Sequence, residues 1–260
     1  MKINRKYSIA LKITTIILVV VCVVYANISR GKSEINGLST QIEYNGGDTL
    51  VNAATIEELV ISKIPNINIM TVNDIDRKYI ENVVKQNPYI ESVDISVSIK
   101  GTIQINAVQR MPIVRIIQNS KQFYLDNNGK YMPTGRINNQ NVIIASGYIM
   151  GTISDTLDMN KKNIGTTNND FYRIYKLTNY LLQHDNLKPL FDQIYICANG
   201  DIELVPKIGN HIVVIGDLNN LDEKFENLFA VYNKGFSNTG WNYYKKINLK
   251  YKNQVVCTKK

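Results

Sequence analysis

Val93-Asp-Ile-Ser-Val-Ser-Ile99, followed at once by Lys100-Gly101 and Thr102-Ile-Gln-Ile-Asn-Ala107, is the stretch on which the fold turns. Val93, Ile95, Val97 and Ile99 alternate with Asp94, Ser96 and Ser98. Side chains of a strand alternate between its two faces, so this pattern predicts a strand buried on one face only. Lys100-Gly101 predicts a tight turn, after which Ile103, Ile105 and Ala107 alternate with Thr102, Gln104 and Asn106 on a returning strand. An amphipathic hairpin needs a cover for its apolar face.

That cover lies upstream. Thr55-Ile-Glu-Glu58 reads as a capping box opening a helix whose apolar face is Ile56, Leu59, Val60 and Ile64, stopped by Pro65. A second helix is expected from an Asn73 cap, with Asp74 and Asp76 near its positive end. Ile75, Tyr79, Ile80, Val83 and Val84 are on its inner face, and Pro88 closes it at Asn87. Leu38–Tyr44 reads as a strand, which gives the order strand, helix, helix, strand, strand for a small domain spanning 38–113. Gly31–Gly37 reads as a short linker, within a juxtamembrane stretch of 29–37.

Downstream, 114–260 reads as a β-rich domain with packed helices. Phe123–Leu125 and Tyr131–Pro133 flank an Asp126-Asn-Asn-Gly129 turn, and Val142–Ala145 is a short strand. The polar stretch Thr152–Asn169 is expected to be a loop. Phe171, Ile174, Tyr175, Thr178, Leu181 and Leu182 mark a helix, and strands are expected at Gln193–Cys197, Asp201–Val205 and Ile212–Ile215. A further helix carries Leu221, Phe225, Leu228, Phe229 and Tyr232, and Tyr243–Tyr251 with Gln254–Thr258 closes the chain as a hairpin. The fold class is α+β.

At the other end, Ile9–Ile28 is a single apolar run. At about 1.5 Å per residue, a helix of this length spans the hydrocarbon core of a bilayer. Lys12 lies one turn inside, where it can snorkel to the headgroups. The uninterrupted part, Ile13–Ala26, is 14 residues and also suits the core of a cleaved signal peptide, so both an anchor and a removed signal fit the residues. Lys2, Arg5 and Lys6 precede the run, which puts residues 1–8 in the cytoplasm and the bulk of the chain outside it.

The formal charge is +8, but its distribution argues against nucleic acid. Six lysines and arginines precede residue 33 and seven follow Glu226, with no acid in either region; between them 17 basic residues face 22 acidic ones. The positive ends are a topogenic signal and a basic terminal hairpin, not a groove with interleaved aromatics. Three cysteines do not make a disulfide framework; Cys22 is in the apolar run, and Cys197 and Cys257, both in strand-like sequence, fit either two lone buried thiols or a bridge formed in an oxidising compartment. No nucleophile elbow, phosphate loop or His-Glu-x-x-His is present, and His184 and His211 are isolated. Asp201 with Glu203, and Asp222, Glu223 and Glu226, read as solvated faces. Neither an enzyme, a cofactor, a metal nor a small-molecule substrate is implied.

A terminal strand commonly lies at a sheet edge, where free backbone groups can accept another chain. Lys245, Lys246, Lys250 and Lys252 alternate there around Ile247, Leu249 and Tyr251. Two readings stand: lysines that discourage indiscriminate pairing, or a charged edge that selects an acidic partner. Trp241 and Tyr243 fit either anchors for that partner or core.

Four blocks in this order, after one span, carry a resemblance. Asn87-Pro-Tyr-Ile-Glu-Ser-Val93, the alternating hairpin and Gln109-Arg-Met-Pro-Ile-Val-Arg115 resemble the POTRA domain of the FtsQ/DivIB family of bacterial cell-division proteins. Phe123-Tyr-Leu-Asp-Asn-Asn-Gly129 with Tyr131-Met-Pro133 resembles the opening of that family's β domain. Pro206-Lys-Ile-Gly209, leading to Asp217 and a helix, resembles its continuation. Ile247-Asn-Leu-Lys-Tyr251 with Gln254-Val-Val256 resembles its terminal hairpin. The short C-terminal tail and the length of Thr152–Asn169 depart from the pattern.

The resemblance implies a single-pass inner-membrane protein, enriched at the septum, that scaffolds the division complex without catalysis. Its implied partners are FtsB- and FtsL-like coiled coils and the septal peptidoglycan synthase complex. It also implies that the last strand pairs with the FtsB-like chain, which on this sequence falls on Leu249, Lys250, Tyr251 and Asn253, flanked by Ile247 and Val255. The rival readings are a POTRA-type chaperone of envelope assembly, though neither repeats nor barrel strands are present, and a secreted binding protein with a cleaved signal.

Overall fold

Strand β2 (Ile90–Val97) and strand β3 (Ile103–Gln109) pair antiparallel, with Val93 opposite Ala107, Ile95 opposite Ile105 and Val97 opposite Ile103. All six side chains are buried, while Ile99, the last member of the alternation, stands in the turn at 86% exposure. The structure, a computed structural model, describes residues 5–45, 49–135, 141–152, 169–236 and 240–260, with side chains from residue 12 onward. Most of the stretch expected as a loop, 153–168, lies outside the described residues. The chain divides into two compact units, one of residues 1–45 and 51–109, the other of 110–260 with 46–50.

In the first unit, helix α1 (Arg5–Gly31) precedes strand β1 (Leu38–Glu43), which runs parallel to β3, so the sheet order is β1-β3-β2. Parallel neighbours require a crossover, supplied here by helices α2 (Ala53–Lys63) and α3 (Arg77–Lys85). Both helices begin elsewhere than their sequence signals suggest. Asn52, not Thr55, caps α2: its Oδ1 accepts from Thr55 N at 2.8 Å. Thr71 and Asp74 close a capping box on the short turn Val72–Asp74, and Asp76, not Asn73, caps α3. In each case an Asx side chain nearer the true helix start reaches the free N–H first. Ile56, Val60, Ile80, Val83 and Val84 then pack on the hairpin's apolar face, each burial contributing about 1.5–3 kcal/mol. Tyr79 remains exposed.

The stretch read as a linker is built into this unit. Ile35 is buried, and its N–H donates to Met70 O (3.0 Å). Val72 N donates to Ser33 O and Asn36 N to Gly101 O, each at 3.0 Å. The sequence hid this because a lone isoleucine among polar residues has no periodicity to betray it.

The second unit is a nine-stranded sheet in the order β12-β11-β10-β9-β8-β7-β4-β5-β6. Its strands are β4 (Pro112–Gln118), β5 (Lys121–Asp126), β6 (Tyr131–Pro133), β7 (Ile143–Gly147), β8 (Phe191–Ile196), β9 (Ile202–Pro206), β10 (Ile212–Gly216), β11 (Tyr244–Asn248) and β12 (Val256–Lys259). The expected boundary after Ile113 falls inside β4. Two parallel pairings, β7 with β8 and β10 with β11, are bridged by helix α4 (Asp170–Gln183) and helix α5 (Leu221–Ala230). Phe171, Ile174, Leu177 and Leu181 of α4 and Phe225 and Leu228 of α5 form the core with Phe123, Phe191, Leu204, Val213 and Ile247 of the sheet.

Candidate functional site

The terminal hairpin ends the large sheet. β11 lies parallel to β10, with Val213 opposite Ile247, and antiparallel to β12, with Ile247 opposite Cys257. Leu249 N donates to Val214 O (2.9 Å) and Lys260 N to Tyr243 O (3.2 Å). Backbone groups alternate direction along a strand. With Lys260 turned toward β11, the N–H and C=O groups of Cys257 and Lys259 therefore point away from the sheet. No described strand pairs with that outer side of β12.

This arrangement sorts the residues that sequence had marked for partner contact. The side chains of Ile247 and Leu249 are buried in the core. Lys250, Tyr251 and Asn253 form the turn: Lys250 N donates to Asn248 Oδ1 (3.0 Å), Gln254 N donates to Tyr251 O (3.5 Å), and Asn253 adopts a left-handed φ of 58°. Tyr251 is half-exposed, and Val255, just before β12, packs against the core. The outermost strand is Val256–Lys259, whose Val256, Cys257, Thr258 and Lys259 were not among the residues marked from sequence.

The lysines divide in the same way. Lys246 Nζ donates to Glu203 Oε1 (2.8 Å) and Lys250 Nζ to Asp201 Oδ2 (2.7 Å), so both are tied across the sheet's open face. Burial would raise Asp201, but hydrogen bonds from Lys250 and Asn199 outweigh it and hold the carboxyl below its ordinary range. Lys245, Lys252, Lys259 and Lys260 have no carboxylate partner among the described residues. Lys259 instead lies 5.3 Å from the centre of the Tyr243 ring, and a hydrogen bond to the Tyr243 side chain, then its charge, raises the ammonium pKa. Trp241 joins Tyr232, Phe236 and His211 in one aromatic cluster, with Phe236 and Trp241 centroids 4.9 Å apart.

The histidines and carboxylates that could suggest chemistry have partners within the fold. His211 Nε2 shares a 2.8 Å hydrogen bond with Tyr232 Oη, and His184 Nδ1 lies 2.7 Å from Tyr180 O at the end of α4. Asp222 Oδ1 accepts from Tyr180 Oη (2.6 Å) and Glu223 Oε1 from Asn253 N (3.4 Å), which fastens α4 and the terminal turn to α5. A groove of about 720 Å³ opens at the carboxyl ends of β7 and β8, lined by Tyr148, Met150, Tyr195 and Cys197. Its charged pair is internally satisfied: Asp170 accepts from Met150 N and Arg173 Nη1, each at 2.8 Å, and Arg173 Nη2 donates to Gly200 O (2.7 Å). Cys22, Cys197 and Cys257 are free thiols, and no three of His, Cys, Asp and Glu converge as metal ligands among the described residues.

Among the described residues, one helical segment, Lys12–Gly31, is long and apolar enough to cross a bilayer by length and composition. No curated protein matches the chain. Residues 111–258, more than half of it, match the family described as FtsQ/DivIB, C-terminal related, and the chain belongs to that family.

Proposed function

We infer that this protein is a non-catalytic, single-pass scaffold of the bacterial division complex. Family membership associates it with cell division and with division proteins in general. The finer reading is ours. α1 anchors the chain with its N-terminus in the cytoplasm, and the first unit serves as a POTRA domain. The second unit links early components to septal peptidoglycan synthesis by binding FtsB- and FtsL-like coiled coils.

The observation that carries the reading is the outer margin of β12. It offers a row of backbone donors and acceptors beside Lys245, Lys252, Lys259 and Lys260, none of them paired with a carboxylate among the described residues. Such an edge supplies affinity through the backbone and selects acidic segments through charge. Tyr251 flanks the margin at the turn, while Ile247, Leu249 and Val255 hold it from within.

Cys257→Pro tests this reading, because it deletes an outward N–H without removing a bond to β11. Capture of an FtsB-like chain from detergent-solubilised membranes should be lost, with the unfolding midpoint little changed. Lys259→Pro should act alike, and full capture by both folded variants would reject edge pairing.

A further inference from the structure

The end of the first unit from which α1 departs has an unusual surface. Arg30 Nη2 donates to Val97 O (2.9 Å), Asn36 Nδ2 donates to Lys100 O, and Glu34 bridges to Thr71. A Cβ on Gly31 would come within 2.4 Å of the Asn73 side chain, so the end of the helix is seated closely on the Val72–Asp74 turn. These contacts join the end of α1 and the segment just after it to the 66–74 connection, to the end of β2 and to the β2–β3 turn at 98–101. Each loop carries one apolar side chain into solvent: Ile69 at 77% exposure and Ile99 at 86%. Among the described residues they are the most exposed large apolar side chains, those of α1 from residue 12 onward included.

Charge and direction agree with this placement. Lys100 follows Ile99 directly and Lys32 follows α1, both exposed, and the acids on these segments include Glu34, Asp76 and Asp74, the last closed on the Thr71 hydroxyl and N–H. β1 and β3 start at this end and β2 finishes at it, so Glu43 marks the opposite end, about 17 Å away at some 3.3 Å per residue. Apolar tips with flanking lysines are what the headgroup–acyl boundary of a bilayer accepts.

Resting on the reading that α1 spans the membrane, we propose that this end of the first unit is seated in the lipid surface. Ile69 and Ile99 insert at the acyl boundary, and Lys32 and Lys100 lie against lipid phosphates. The unit is then held at a fixed height over the bilayer and does not hang on a tether.

Trp241 is the sole tryptophan, so a Trp241→Phe background permits single reporters. The full chain would be placed in phosphatidylethanolamine–phosphatidylglycerol vesicles carrying acyl-brominated lipids, with tryptophan introduced by Val20→Trp, Ile69→Trp, Ile99→Trp or Glu43→Trp. All four positions are exposed, so the fold tolerates the reporter. Emission from Ile69→Trp and Ile99→Trp should be blue-shifted and quenched most by bromines nearest the headgroup, with Val20→Trp quenched by deeper ones and Glu43→Trp unaffected. If the first two respond no more than Glu43→Trp while Val20→Trp is quenched, the seat is wrong and the span stands. If Val20→Trp is not quenched, both readings fall.

Discussion

Lys250 Nζ lies 2.7 Å from Asp201 Oδ2, and the stem of that lysine crosses Gly216 so closely that a Cβ there would come within 2.7 Å of Lys250 Cγ. A lysine that sequence assigned to a partner is thereby held across β9, β10 and the terminal turn. Gly216 also has φ +76°, a region L side chains avoid. Gly216→Ala should cost about 1–3 kcal/mol in urea unfolding. Adding Lys250→Ala should recover part of that loss, because the stem is the atom group displaced. No recovery would assign the whole effect to backbone strain.

Glu203 sits between Lys246 and Cys197. Burial first, then the Glu203 charge and hydrogen bond, push the Cys197 thiol up. Glu203→Gln removes the charge and frees Lys246 beside the sulfur. Peptide-resolved alkylation at about pH 8 should then be faster at Cys197 and unchanged at Cys257, whose thiol is raised by burial alone. Equal rates at Cys197 in both proteins would show that Glu203 does not govern it.

What sequence revealed depended on how each element is buried. The β2–β3 hairpin was legible because one of its faces meets helices and the other meets solvent, which writes a period of two into the residues. β4 was not, because its first three residues are buried in succession, so both faces are covered there, and it reads Pro-Ile-Val-Arg-Ile-Ile-Gln with no clean alternation. Helix faces were read well at Ile80, Val83, Phe171 and Leu181, whereas their first residues were displaced because Asn52 and Asp76 compete with neighbouring cap-forming residues. At the terminal hairpin the alternation of Ile247 and Leu249 was visible, but it marks the strand inside the margin. Only the parallel pairing of β10 with β11, a contact distant in sequence, shows which strand is left outermost.

Asp170 is almost fully buried at the start of α4, where its carboxylate receives Arg173 and the backbone of Met150. Removing one partner of such a pair strands the other away from water. Asp170→Ala should destabilise the second unit by about 3 kcal/mol, and Asp170→Asn by less, since the amide oxygen still accepts one of the two bonds. Urea unfolding followed by circular dichroism gives both values, and equal losses would mean that charge, not hydrogen bonding, holds the site.

His211 supplies a pH dependence whose sign is fixed by its surroundings. It is 2% exposed, Nε2 is bonded to Tyr232 Oη, and Nδ1 has no partner among the described residues. An imidazolium would need acceptors at both nitrogens. Burial, and then the charge of Lys260, hold the pKa below the ordinary 6.5. The unfolded chain therefore takes up the proton first on acidification. The stabilisation is complete above 6.5 and is lost as pH falls from there through the lower folded value. The unfolding midpoint should drop between about pH 7.5 and 5 by more in the native protein than in His211→Phe. That variant keeps an aromatic ring in contact with Phe236 and Trp241 but leaves the Tyr232 hydroxyl unpaired. It should start lower at neutral pH, by about 1–3 kcal/mol, and then change less. Parallel curves for the two proteins would remove His211 as the titrating group.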